Sequence, residues 1–364
     1  MLRPAVLLPF LICCGDDRRD VVDAPPAPPP PGLALLDFDL AIDVTPDGRT
    51  AVFEKLTAEA AFVHLYDTVT GESAIAASVG DPSRNVATGV SATKRISALH
   101  GEPVQAGVWS ADTDWVDLGS PHAAGCGAEE VSGAFDISAD GRVVVGLAWK
   151  GCTPDAFRWT DGTFTTLEVL GTGAEGSPNP PANRATVVSD DGRVAAGFAQ
   201  LGPIDRSAAV WDAQGRGTLL DPTNLDAPSE VLAIDGTGTV AAGIVGFDAF
   251  VWSAATGMVP IPRLDIALPS DPMFPNAITA DGRVVFGGIG SEFFSIPIAF
   301  AWSSAHGTRA LADVAAAGGV TVPEGVLLTT VLAASADGTL LIGKALDAMG
   351  ASKAYALRLA APSE

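Results

Sequence analysis

Short runs of alternating apolar and polar residues, broken by Asp-Gly and other glycine-bearing turns, fill the chain from residue 33 to residue 359. Alternation with period two places one row of side chains on each face of an extended strand, so the pattern predicts strands throughout. The clearest stretch reads Ile137-Ser138-Ala139-Asp140-Gly141-Arg142-Val143-Val144-Val145-Gly146, then Ala156-Phe157-Arg158-Trp159, a turn at Asp161-Gly162 and a closing Phe164-Thr165-Thr166-Leu167. That is a unit of four short strands, and it recurs.

Aligned on the Asp-Gly turn, copies fall at Asp47, Asp140, Asp191, Asp281 and Asp337, with a worn copy at Asp235-Gly236-Thr237-Gly238. Most intervals lie near the ~40–50 residues of a propeller blade. The interval from Asp47 to Asp140 is about twice as long and hides one more unit, visible as Arg95-Ile96-Ser97-Ala98 and Ala106-Gly107-Val108-Trp109. The reading is an all-β, seven-bladed β-propeller of four-stranded blades over residues 33–364. Trp109, Trp159, Trp211, Trp252 and Trp302 close the third strand of successive units, with Tyr66 and Leu357 in the same place at the two ends. A large ring at one fixed position is a packing device. Asp-Gly supplies the positive φ that a tight hairpin requires, so these carboxylates read as turns and not as metal ligands. The last unit has no fourth strand, whereas an orphan strand at 33–38 precedes the first. Pairing the two would close the ring and remove its open edges.

The amino-terminal residues lie outside this pattern. Residues 1–14 combine a short basic start at Arg3 with an apolar run too short to cross a membrane, as in an export signal. Leu11-Ile12-Cys13-Cys14 resembles a bacterial lipobox, with Cys14 the lipidated residue, although Cys13 stands where Gly, Ala or Ser is usual. Residues 15–32, including the proline run from Pro28 to Pro31, read as a semi-rigid tether. Only Cys126 and Cys152 remain, and an exported chain with one leftover pair usually bonds it. Both fall in loops on one face of an up-and-down propeller, so a Cys126–Cys152 disulfide is expected, contributing ~3–4 kcal/mol in the chain-entropy treatment.

The same sorting of loops divides the two faces. One carries minimal turns such as Asp140-Gly141 and Asp161-Gly162. The other carries all the length variation, including 120–132, 172–183, 221–230, 263–275, 290–297 and 313–329. Long loops on a rigid scaffold are where binding usually resides. The aromatics outside the repeat pattern, Trp149, Phe247, Phe274, Phe293 and Phe294, are the candidate ligand-binding residues there.

Chemistry-bearing motifs are sparse. His64, His100, His122 and His306 have no paired spacing, so no metal centre is predicted. Ser91-Ala92-Thr93-Lys94 matches Ser-x-x-Lys but falls in an expected strand and lacks its companion motifs. Asp112, Asp114 and Asp117 begin like a calcium loop without its glycine or closing glutamate. No catalytic residue, cofactor or metal is assigned. With 43 acidic against 21 basic residues and a formal charge of −22, the chain would repel phosphate backbones, which argues against a nucleic-acid partner.

The unit Ile-Ser-x-Asp-Gly-Arg-Val-Val-Val-Gly through Ala-Phe-Arg-Trp-Thr-Asp-Gly is similar to the HAF-type extracellular repeat of bacterial surface proteins, over residues 40–359. The resemblance implies export and a propeller-like fold, and brings no catalytic residues with it. The leading expectation is a lipid-anchored propeller of the cell envelope, periplasmic or at the cell surface, that binds a protein or glycan or serves as a surface scaffold through its long-loop face. The alternative is a carbohydrate-active hydrolase or lyase using carboxylates at the channel mouth. A third reading is a passive envelope component.

Overall fold

The computed structural model describes residues 29–122, 131–171, 181–201, 206–223, 227–290 and 297–360. It is a seven-bladed propeller, each blade a four-stranded antiparallel sheet. With strands lettered a to d from the central channel outward, blades 1 to 6 occupy 40–80, 86–119, 132–166, 182–219, 229–260 and 273–310. Blade 7 takes strands a to c from 327–358, and its strand d is the first strand of the chain, β1 (Gly32–Leu36). Gly32 lies opposite Arg358 and Leu36 opposite Ala354, so the expected ring closure is present. A side-chain bond from Lys353 Nζ to Asp37 Oδ1 (3.0 Å) follows the strand.

The repeated motif has a physical reason at each position. Ser138 Oγ donates to Asp140 Oδ1 (2.7 Å) and accepts from Val143 N–H (3.0 Å), while Asp140 Oδ1 also takes Arg142 N–H (2.9 Å). The same set recurs from Thr45, Ser189, Thr279 and Ser335, so the hydroxyl and carboxylate together tie off the strand a to b hairpin. Ser91-Ala92-Thr93-Lys94 is this turn in blade 2 and not part of a strand. Lys94 stands at the glycine position with φ of 62°, and Ser91 Oγ accepts Arg95 N–H, one residue earlier than the N–H its counterparts Ser138, Ser189 and Ser335 take.

The glycine that ends the motif answers a steric demand. Strand a of every blade carries an extra residue. In five blades the residue just before it faces Gly146, Gly197, Gly243, Gly287 or Gly343 of strand b. A Cβ at these glycines would stand 1.9 to 2.1 Å from a strand a carbonyl oxygen. In four of them the aromatic of strand c covers the space left: Phe157, Phe250, Phe300 or Tyr355. Ala-Phe-x-Trp is thus the partner of the glycine as much as of the core.

The core is distributed. Each of the seven blade interfaces holds its own apolar cluster, so the protein avoids growing one oversized interior. The third-strand aromatics keep their predicted register, but their burial differs: Trp211 is fully buried and Trp159 half-buried. One element was not expected. The expected loop 313–329 instead begins within α1 (Leu311–Ala317), whose Leu311 and Ala315 fill the interface of blades 6 and 7.

Trp211→Ala should therefore lower the unfolding free energy by ~3–5 kcal/mol, and Trp159→Ala by distinctly less, in equilibrium urea unfolding. Equal losses would show that burial in the interface does not set the cost.

Candidate binding face and channel

The extra residue in each strand a is a β-bulge, which bends the strand and redirects a side chain. Ile42, Thr88, Phe135, Thr186, Leu232, Asn276 and Leu332 occupy these positions, and all seven line a central cavity of about 250 Å³. In blades 1 and 3 the next residue is an aspartate. Asp43 accepts its neighbour's N–H from Val44 (2.8 Å) and, across the interface, that of Val90 in blade 2 (2.7 Å). Asp136 repeats the arrangement with Ile137 (2.7 Å) and Val188 of blade 4 (2.7 Å). Gly89 of blade 2 lies between them, and a Cβ there would come within 2.9 Å of Asp136 Oδ1.

Burial pushes the Asp43 carboxyl up to about 7, against the pull of its two N–H donors. Asp136 is raised well above the usual range by burial and then by the charge of Asp43. Asp190, lower in the channel, is raised by burial and by Asp191 and Asp235. Below Asp43 and Asp136 the channel is girdled by backbone hydrogen bonds from blade to blade. Ala92 N–H reaches Ala139 O, Ala139 reaches Asp190, Asp191 reaches Gly236, Gly236 reaches Ala280, Ala280 reaches Ala336, and Ala336 reaches Pro46. Pro46 has no N–H, so the girdle stops between blades 1 and 2.

The loop face carries two further assemblies. At blades 4 and 5, Glu230 accepts from Arg184 Nη2 and from Thr186 Oγ1 (2.7 Å), with Arg206 Nη1 at 3.9 Å. The Arg184 guanidinium lies over the rings of Phe135 and Phe198, at 5.3 and 5.0 Å. At blades 5 and 6, the loop before Met273 is locked by Arg263, which donates to Asp248 Oδ1 (2.7 Å), Phe247 O (2.6 Å) and the carbonyls of Leu268 and Asp271. Held this way, Phe247, Ile266, Leu268 and Phe274 stay 60, 72, 58 and 37 % exposed.

Of the sequence candidates, Phe247 and Phe274 fall on this one seam, where Met273 N–H bonds Phe247 O (3.0 Å). Trp149 lies two blades away in strand b of blade 3, half-buried, with its indole N–H enclosed and without a hydrogen-bond partner. Phe293 and Phe294 lie outside the described residues, as do Cys14 and Cys126; Cys152 is disulfide-bonded. Near it, His122 Nε2 and Asp155 Oδ2 stand 3.2 Å apart. Ile266 and Leu268 are aliphatic and do not stand out from the apolar strand residues along the chain. Asp43, Asp136 and the Arg184 cluster do not stand out either, because a bulge is invisible to a period-two pattern. No cluster of three or more metal-ligating side chains occurs among the described residues.

The sequence matches no family model and no curated protein. By structure the chain is similar to the β-propeller domain of the trilobed protease from Pyrococcus furiosus, described as having an open velcro topology, at 8 % identity and a TM-score of 0.54, covering 91 % of this chain and 98 % of that one. It is also similar to an oligogalacturonate lyase from Vibrio parahaemolyticus, at 10 % identity and a TM-score of 0.52, covering 90 and 91 %. A prolyl endopeptidase matches at 13 % identity and a TM-score of 0.51 over 76 % of this chain, which spans only 42 % of that protein. At such identities the likeness is one of fold, and it defines the class as β-propeller.

The raised carboxyls make stability depend on pH in a definite sense. Unfolded carboxylates titrate near ~4, so above ~4 the folded state binds more protons; the stability Asp43 contributes is full below ~4 and is lost as pH rises through about 7, and Asp136 and Asp190 act in the same direction. The urea midpoint should fall over that window in the wild type, and less steeply in Asp136→Asn. A midpoint that climbs with pH would mean the channel carboxylates are ionised in the folded protein.

Proposed function

We propose that the protein is an exported, lipid-anchored propeller that binds a protein or glycan through its long-loop face. One observation carries the reading. Strand c of blade 7 runs from the loop face to Arg358 on the turn face, and Gly32 of β1 pairs with Arg358. The chain therefore enters the ring from the turn face. A tether over residues 15–32 fixed through Cys14 would hold the turns toward the membrane and offer the loops outward. The apolar seam of Phe247, Ile266, Leu268 and Phe274 supports the same reading, since a cluster of exposed apolar side chains marks a contact surface, and half-buried Arg263 holds this one in place.

The hydrolase or lyase alternative has less to rest on. Each oxygen of Asp43 and Asp136 already accepts a backbone N–H, and these bonds join one blade to the next. The likeness to an oligogalacturonate lyase is one of fold and brings no residues to this chain.

Fatty-acid labelling should mark the wild-type protein, and Cys14→Ser should lose the label and move to the soluble fraction. Label persisting in that variant would shift the anchor or reject it. On a glycan array and in envelope pull-downs, Phe247→Ser with Ile266→Ser should lose at least tenfold of the captured ligand at an unchanged unfolding midpoint. Wild-type protein that captures nothing would leave only the passive-component reading.

A further inference from the structure

The strap between blades 1 and 2 and the strand b to c hairpin of blade 2 enclose a second cavity on the loop face, of about 280 Å³. Val79, Asn85 and Val104 are its buried lining, and Asp81, Arg84, His100 and Glu102 are its polar rim. His100 is fixed twice. Its ring stacks on Trp115 with centroids 4.4 Å and planes 15° apart, and its Nδ1 lies 2.8 Å from Asp117 Oδ1. Trp115 is fixed in turn by Nε1–H to Ser78 O (2.9 Å). With Nδ1–H donating to the carboxylate, Nε2 of the neutral ring is an acceptor.

Asn85 is 5 % exposed. Its Nδ2 donates to Gly101 O (3.4 Å), while Oδ1 is buried without a partner. Such a group lacks what nearly every buried polar atom has. Asp81 accepts from Ser83 N (2.9 Å) and Ser83 Oγ (2.8 Å), and these donors hold its carboxyl below the usual range and so ionised. Among the described residues that line the cavity Arg84 is the one lysine or arginine, and it too lowers Asp81.

We infer that this cavity binds the primary ammonium group of a small organic cation, such as an amino sugar. An ammonium has three donors and no acceptor, and Asn85, His100 and Asp81, which all line the cavity, each carry an acceptor. A carboxylate or phosphate would face Asp81 and Glu102. A hydroxyl has one donor, and its lone pairs would meet further acceptors. The chain's charge of −22 raises the local concentration of cations at the surface. The site lies on different blades from the apolar seam, so either can fail alone.

The test is titration of the full chain with glucosamine, N-acetylglucosamine and glucose, followed by calorimetry. Glucosamine should bind with a Kd at least tenfold below that of the other two, in which the ammonium is capped or replaced. His100→Phe keeps a ring on Trp115 and removes the acceptor, and Asn85→Leu removes the unpartnered oxygen. Each should raise the glucosamine Kd at least tenfold, whereas Phe247→Ser should leave it unchanged. Equal binding of the three sugars, no binding of glucosamine, or wild-type affinity in a folded His100→Phe protein would overturn the inference.

Discussion

Crowding at the axis is the constraint on which the rest of this propeller depends. Seven inner strands converge on one channel, and each bends there by inserting one residue. In five blades the bend drives a carbonyl so close to strand b that only glycine fits opposite. The aromatic of strand c then fills the space beside most of those glycines. Bulge, glycine and ring therefore form one device, and the recurring sequence motif is its trace. The blades that depart from the motif depart at the same places: Phe53 and Ala98 replace the glycine in blades 1 and 2.

The device leaves little sequence free for chemistry inside the blades. It does create polar opportunities next to the bulge, and the protein uses two of them to tie blades together. A carboxylate receiving two N–H donors in a buried site is a strong acceptor pair, yet removing it from water favours its neutral form. For Asp43 and Asp136 burial prevails; the charge of Asp43 raises Asp136 further, and that of Asp190 raises both. The pair serves cohesion between blades 1 and 2 and between blades 3 and 4. It also makes that cohesion sensitive to protons over a range in which exposed carboxylates such as Asp161 and Asp212, lowered by their donors, no longer titrate.

The fold was legible because period, turn chemistry and aromatic register repeat. Asp-Gly and Trp gave independent alignments of the same blades, and the unmatched strand at 33–38 pointed to the closure that β1 makes. What stayed hidden is what does not repeat. Leu311–Ala317 is about two turns of an alanine-rich segment, too short to produce a helical period among strands. His100 sits on strand b of blade 2 and Trp115 and Asp117 on strand d, meeting across Gly107 of strand c, and Asn85 reaches the hairpin at Gly101 only because a strap folds back over it. Spacing along the chain does not encode that approach. Ser91-Ala92-Thr93-Lys94 misled in the opposite way: its hydroxyl keeps the turn role of Ser138 while Lys94 takes the glycine conformation, so a catalytic-looking motif is a turn.

The two surface features differ in kind and in place, and the topology explains why both can lie on one face. Connections from strand d to the next strand a, and from b to c, all emerge there, so any pair of adjacent blades can raise a strap and a hairpin against each other. Blades 1 and 2 use this to enclose acceptors around Asn85. Blades 5 and 6 use it to brace apolar side chains with Arg263, whose guanidinium is spent on carbonyls and Asp248. The opposite face has only two- to six-residue connections and the girdle of backbone bonds, with little freedom to vary. A chain that enters on that face and keeps every long connection on the other is polarised by its connectivity alone, before any side chain on the loops is chosen.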